Sequence, residues 1–281
     1  MTTDSYSATI EAWRSNYERG LTAPTGWLAI IGLDWLEEGE NTFGTNQDHP
    51  IVLPKGTTSD YAGSFVLKED TVTLRVNPGE AILFDGQPVT SSLIPVNTGS
   101  SSKPITIGRL TVYVVRRGDQ YAVRIYDPDN PARHAFSGVK WFPIDEQYCV
   151  QASFTPLEET NTISITNILG MTEESRCPGF VTFTLHGQEY RLYPVAPTDQ
   201  DRLLFMFRDP TNGEITYPAG RYLYADPPQN GLTTLDFNKA YSPPCAFTDY
   251  ATCTLPPPQN HLPIPILAGA KYSHSSTYRN L

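Results

Sequence analysis

Short runs in which apolar and polar residues alternate recur along this chain, each ended by a Gly, Pro, Asn or Asp turn. That rhythm constrains the fold more than any other feature, because period two belongs to strands and the turns are too frequent for long helices. The clearest case is "RLTVYVVRRGDQYAVRIYD", two alternating segments around Arg117-Gly118-Asp119. "SFVLKED" and "TVTLRV" meet at Glu69-Asp70, "AILFDGQPV" turns at Asp85-Gly86, and "GFVTFTLHGQEYRLYPV" turns at His186-Gly187. "RLLFMFRDPTNGEITY" reads as a strand, a tight turn and a return strand, followed by "GRYLYA" and "LTTLDF". With 20 Gly and 25 Pro, a helical bundle is excluded. No strand–helix alternation suggests a parallel sheet. The exception is the start, where Tyr6, Ile10, Trp13, Tyr17 and Leu21 recur at helical spacing, with Asp4 placed to cap and Gly20 near the end.

The fold class predicted is therefore mainly β. It comprises an N-terminal helix (1–24), an antiparallel β-sandwich (25–140) and a second antiparallel, barrel-like module (141–281) closed by a Pro-rich segment. A hydrophobic share of 39% supports a packed globular core. The net charge of −10 argues against a nucleic-acid partner and against anionic membrane surfaces. No apolar run is long enough to span a bilayer, and "MTTDSYSATIEAWR" lacks the basic start and apolar stretch of a secretory leader. With only four cysteines, the expected location is the cytoplasm, with reduced thiols.

Motifs for common chemistries are absent: no Gly-x-Ser-x-Gly, His-Glu-x-x-His, Cys-x-x-Cys, P-loop or dinucleotide fingerprint occurs. "SSSK" (Ser100–Lys103) matches Ser-x-x-Lys formally, but lies in a Gly/Ser loop instead of at a helix start. Cys245, Cys253 and His261 are separated by seven residues at each step, too wide for the close pairs that zinc sites use. Neither a metal nor a cofactor is predicted, and structural zinc is kept as a minor alternative.

The candidate site lies in "RDPTNGEITYPAGRYLY" and "LDFNKAYSPPCAFTDYATC". Asp209 and Asn212 suit the turn, but Arg221 stands among Tyr and Leu and must find a carboxylate or a ligand anion. Asp209 and Asp236 are the nearest acids. If 220–224 paired with 231–237, Arg221 would face Asp236, with Asn238 and Tyr241 at the same end. One reading is a buried ion pair tying down the Pro-rich tail. The other is a polar pocket. There Arg221, Asn212, Asp236 and Asn238 bind a small, anionic metabolite, and Asp209, Tyr217 and Tyr241 move protons. The reaction class such a pocket admits is a metal-independent hydrolysis or lyase step.

Two resemblances bear on this. "DPTNGEITYPAGRYL", "LDFNKAYSPPCAFTDYATCTLPPPQNHL" and "ILAGAKY", with "WRSNYERGLTAPTGWLAIIGLDWLEEGENTFGT" near the start, resemble domain-of-unknown-function family 1684 over nearly the whole chain. Thr254 and Ala270 depart from its pattern, and the family brings no activity. "EEGENTFGTNQDHPIVLP" through "IGRLTVYVV" resembles a forkhead-associated (FHA-like) β-sandwich. Thr45 stands where its phosphopeptide-reading arginine would follow the glycine, and no Ser-x-x-His follows. The resemblance implies a non-enzymatic protein-interaction module as the alternative function, with a protein partner in place of a small-molecule ligand.

Overall fold

The computed structural model describes residues 3–96, 103–159 and 161–272. The fold is mainly β, 42% strand and 15% helical, with an N-terminal helix and several antiparallel sheets. Two compact units result, one of Leu21–Phe136 and one of Met1–Gly20 with Ser137–Leu281. The helix α1 runs Thr3–Thr22, and all but its last residues belong to the second of these. The expected cap, Asp4, has its side chain outside the described residues, and residues 97–102, with Ser100, lie outside them altogether.

The Leu21–Phe136 unit contains β1 (Ile30–Trp35), β2 (Gly39–Gly44), β3 (Ile51–Val52), β4 (Gly63–Lys68), β5 (Thr71–Val76), β6 (Ile82–Phe84), β7 (Gln87–Pro88), β8 (Ser91–Ile94), β9 (Ile105–Ile107), β10 (Leu110–Arg117), β11 (Gln120–Tyr126) and the short α2 (Pro131–Ala135). One sheet is ordered β1-β11-β10-β9-β6-β7 and the other β3-β2-β4-β5-β8, with β2 and β3 parallel and the remaining pairs antiparallel. One core draws on both: Phe43, Phe65 and Leu74 from one sheet, Val112, Val123 and Ile125 from the other. The alternation in the sequence is the cause, since every second side chain of these strands faces inward. Asp127, just past β11, receives Arg109 Nε and Nη2, each at 2.8 Å. Thr45 donates to Asp60 at 2.9 Å, and Lys103 of the Ser-x-x-Lys match pairs with Asp85 at 2.7 Å.

The other unit contains β12 (Cys149–Pro156), β13 (Thr162–Thr166), β14 (Thr172–Arg176), β15 (Gly179–Leu185), β16 (Gln188–Leu192), β17 (Leu203–Phe207), β18 (Arg221–Ala225) and β19 (Leu232–Asp236). The main sheet is β16-β15-β12-β19, beside the pairs β13-β14 and β17-β18. Phe183, Phe205, Phe207, Leu223, Leu235 and Phe237 fill its core.

The expected antiparallel module is present, but among the described residues no sheet closes into a barrel. The reason lies at β18. Its ladder partner is β17, and its other edge is taken by the tail, where Tyr222 and Tyr241 exchange backbone hydrogen bonds of 2.9 Å each way. Pro227 and Pro228 then break the chain, and β19 pairs with β12. The expected pairing of 220–224 with 231–237 is thereby overturned. Nor does "GEITY" return as a strand; 209–217 folds on itself, with Thr216 N donating to Thr211 O at 3.0 Å.

α1 packs on this unit through the apolar row read from its sequence. Trp13 and Trp141 meet edge to face, their centroids 5.9 Å apart. Trp141 Nε1 donates to Glu18 at 2.9 Å, and the Tyr17 hydroxyl donates to Ser242 O at 3.0 Å.

Candidate functional site

The residues predicted as one site fall in three places. The first joins Asp209, Asn212 and Arg221. The Arg221 Nη2 lies 2.6 Å from Asp209 Oδ2, and neither side chain has any solvent exposure. Nη1 donates to Ala268 O at 2.5 Å and Nη2 to Ile266 O at 2.9 Å, while the guanidinium sits 5.2 Å from the Phe207 ring centre. Asp209 Oδ1 accepts from Thr211 N, Thr211 Oγ1 and Ile266 N. Asn212 stays inside the turn, accepting from Asp209 N and donating to Thr216 Oγ1 and Tyr217 O. Burial pushes the Arg221 guanidinium down from its ordinary range, and Asp209 opposes this. Gly220 makes the approach possible: its φ is +101°, and a Cβ there would lie 2.5 Å from Pro256 Cγ. The ensemble ties β17, β18 and the 266–268 tail together. It is the ion pair of the first reading, with Asp209 rather than Asp236 as partner, and it opens no path for an anion.

The second place holds the tyrosines. Tyr217 is buried, donates to Cys245 O at 3.1 Å and meets Tyr272 edge-on. Tyr241 lies among Trp13, Tyr17, Tyr222 and Tyr224. Burial, with Tyr224 and Tyr17 nearby, pushes its hydroxyl well above the usual phenol range, so it holds its proton at neutral pH.

The third place joins Asp236 and Asn238 to two residues that sequence reasoning missed, Tyr6 and Cys149. Cys149 and Asp236 are direct partners across the β12–β19 ladder, so their side chains share a face. Tyr6 reaches down from α1 and donates to Asp236 Oδ1 at 2.8 Å. Asn238 Nδ2 donates to the Tyr6 hydroxyl at 3.0 Å and to Asp145 O at 2.8 Å, while Asn238 Oδ1 accepts from Asp145 N at 3.0 Å. Lys239 Nζ stands 3.3 Å from Asp236 Oδ2. Burial and then the Asp236 charge push the Cys149 thiol up, partly offset by the Tyr6 hydrogen bond and Lys239. Burial, Asp236 and Cys149 likewise push the Tyr6 hydroxyl up. Both keep their protons at neutral pH, so the cluster offers hydrogen bonds and no activated nucleophile. Tyr6 was legible only as a member of the apolar row of α1, and Cys149 only as one of the four cysteines, without a partner at a telling spacing. The register that joins them is set by tertiary pairing.

From Cys149 the same face of β12 continues at period two to Gln151 and Ser153. Ser153 pairs with Thr182, and Thr184 with Glu189. An open cleft of about 340 Å³ lies there, lined by Val150, Gln151, Ser153, Thr182, Phe183, Thr184 and Glu189. Its single charged side chain is a carboxylate.

Among the described residues, no group of three His, Cys, Asp or Glu side chains could hold a metal ion. Cys245 and Cys253 contact one another, and the backbone of His261 bridges to Arg208 instead. Among the described residues, no helix is long and apolar enough to cross a membrane.

Residues 134–271 match a family model described as "Protein of unknown function (DUF1684)". The family assignment holds for that half of the chain; the resemblance read over the N-terminal stretch lies outside the match. No curated protein matches. Among solved structures, an uncharacterized protein of Haloarcula marismortui, determined by solution NMR, is 32% identical. That alignment covers 51% of this chain and 80% of the other, with a TM-score of 0.43.

Proposed function

We propose that the second unit binds a small, neutral, hydroxyl-rich molecule in the cleft beside Cys149 and Asp236. The observation that carries this reading is the lining: Gln151, Ser153, Thr182 and Thr184 each both donate and accept hydrogen bonds, as vicinal hydroxyls do. An anionic ligand, expected from Arg221, loses its support because both terminal nitrogens of that guanidinium are engaged by Asp209 and the tail and the side chain has no solvent exposure. The cleft's own charge, Glu189, would repel an anion. Binding rather than turnover is favoured because Asp209 is saturated by protein donors and Tyr6, Tyr241 and Cys149 hold their protons. A cytoplasmic location is proposed from the sequence, whose four cysteines in 281 residues fall short of a disulfide-scaffold density.

The test is a thermal-shift screen of neutral polyols and saccharides against carboxylates and phosphates. The wild type is compared with the double variant Gln151→Leu/Thr182→Val. A ligand of the native state raises the melting temperature. Shifts with neutral polyols, lost in a variant that melts normally, support the reading. Shifts from anions alone, or shifts the variant keeps, sink it. Silence from every compound brings forward the protein-interaction module on the FHA-like sandwich.

A further inference from the structure

The segment that closes the second unit carries a second pair of chemically active groups, away from the cleft. Cys245 lies in the 3-10 turn Pro244–Ala246, and Cys253 comes after the loop has doubled back. The Cys245 amide donates to Cys253 Sγ at 3.0 Å, and the Cys253 amide donates to Cys245 Sγ at 3.3 Å. Each sulfur therefore sits on the other residue's main chain. An amide nitrogen is about 1.46 Å from its own Cα, so each sulfur lies within about 5 Å of the opposite Cα. The two main chains are thus brought close together, as a disulfide, which spans Cα atoms roughly 4.4–6.8 Å apart, requires. The Cys245 thiol in turn donates to Ala251 O at 3.3 Å, and it is the thiolate that reacts. Both side chains are buried, with Cys253 the more accessible at 8% against 3%.

We infer that Cys245 and Cys253 are a reversible dithiol–disulfide pair, oxidised by a peroxide and restored by a dithiol reductant, which staples the loop between them. In the first step Cys253, having released its proton, attacks one peroxide oxygen. The S–O bond forms, the O–O bond breaks, and the departing hydroxide takes up the proton as water. Cys253 is then a sulfenic acid. In the second step Cys245 attacks that sulfur, the S–S bond forms, the S–O bond breaks, and hydroxide leaves with the Cys245 proton as a second water. Two thiols are oxidised by two electrons and one peroxide is reduced to two waters. Around the pair, the Tyr222 hydroxyl donates to Thr254 O at 2.6 Å and the Tyr217 hydroxyl to Cys245 O at 3.1 Å. The staple thus locks a loop whose two ends are already seated.

The experiment treats the purified full-length chain with hydrogen peroxide under native conditions, then follows thiol titration, intact mass and peptide mapping. The expected result is the loss of two thiols and of two hydrogens in mass, reversed by dithiothreitol. The mapped bridge joins the peptides of Cys245 and Cys253, and the melting temperature rises by several degrees. Cys149→Ser/Cys177→Ser keeps all of this. In Cys245→Ser the reaction stops at a sulfenic acid on Cys253 that dimedone traps. The inference is overturned if the native protein adds oxygen without forming a bridge, or if the bridge maps to another pair.

Discussion

Replacing Arg221 by Met removes the cation that pairs with Asp209 in a place where neither side chain meets solvent. The methylene stem remains to pack on Phe207, so the loss is electrostatic and not a large cavity. A carboxylate left unpaired in such a site destabilises by about 3–5 kcal/mol. Ile266 O and Ala268 O lose their donors as well, which places the loss toward the upper end of that range. For a unit of this size, about 2–4 °C of melting temperature goes with each kcal/mol, so the drop is about 6–20 °C. Urea unfolding of the Trp27→Phe/Trp35→Phe background, in which fluorescence comes from Trp13 and Trp141 of this unit, measures it, with the slope expected to stay constant while the midpoint moves. A double variant, Arg221→Met/Asp209→Leu, removes both charges and should regain most of the loss. A single variant that costs less than about 1 kcal/mol, or a double variant no better than the single one, would refute the tie that holds the tail to β17 and β18.

Three further outcomes follow from the same geometry. Tyr6→Phe removes a hydrogen bond to a carboxylate and should cost about 1.5–3 kcal/mol in urea unfolding, since Asp236 then loses its donor from α1. Cys149 should alkylate with iodoacetamide more slowly than the same cysteine in urea-unfolded chain, its rate climbing only at pH above the ordinary thiol range; equal rates at neutral pH would contradict the raised thiol. Burial pushes the Asp127 carboxyl up, but Arg109 and the Asp129 amide outweigh it and hold it below the usual range. Its folded value lies below its unfolded one, so its contribution is present above about pH 4 and is lost as pH falls through the folded value. Asp127→Asn should therefore flatten the fall of stability below about pH 4; an unchanged acid profile would count against it.

What the sequence displays, it displays through local rules. The hairpin tips at Asp85-Gly86 and His186-Gly187 take the positive φ angles that such dipeptides permit, and the strands beside them alternate as written. The row Tyr6, Ile10, Trp13, Tyr17 forms one side of α1, as its spacing implies. Arg221 was legible as a residue in need of a carboxylate, because an arginine among Tyr and Leu has few other outcomes. Its partner was not legible, since Asp209 and Asp236 were equal candidates until the order of the strands was known. Pro227 and Pro228, which end β18 and free β19 for β12, carry that information only through tertiary pairing. The same pairing sets Cys149 opposite Asp236 and draws the polar face from Gln151 to Glu189, so a cleft made of ordinary Ser and Thr positions leaves no mark in the sequence.

The proposal of a polar-ligand cleft is tested most directly by a heteronuclear NMR titration of the wild-type chain with the polyol that gives the largest thermal shift. Saturable shifts concentrated on the amides of Gln151, Ser153, Thr182 and Thr184 are the predicted result, with the amides around Arg221 and Asp209 unmoved. Shifts that gather elsewhere, or none that saturate, would contradict it.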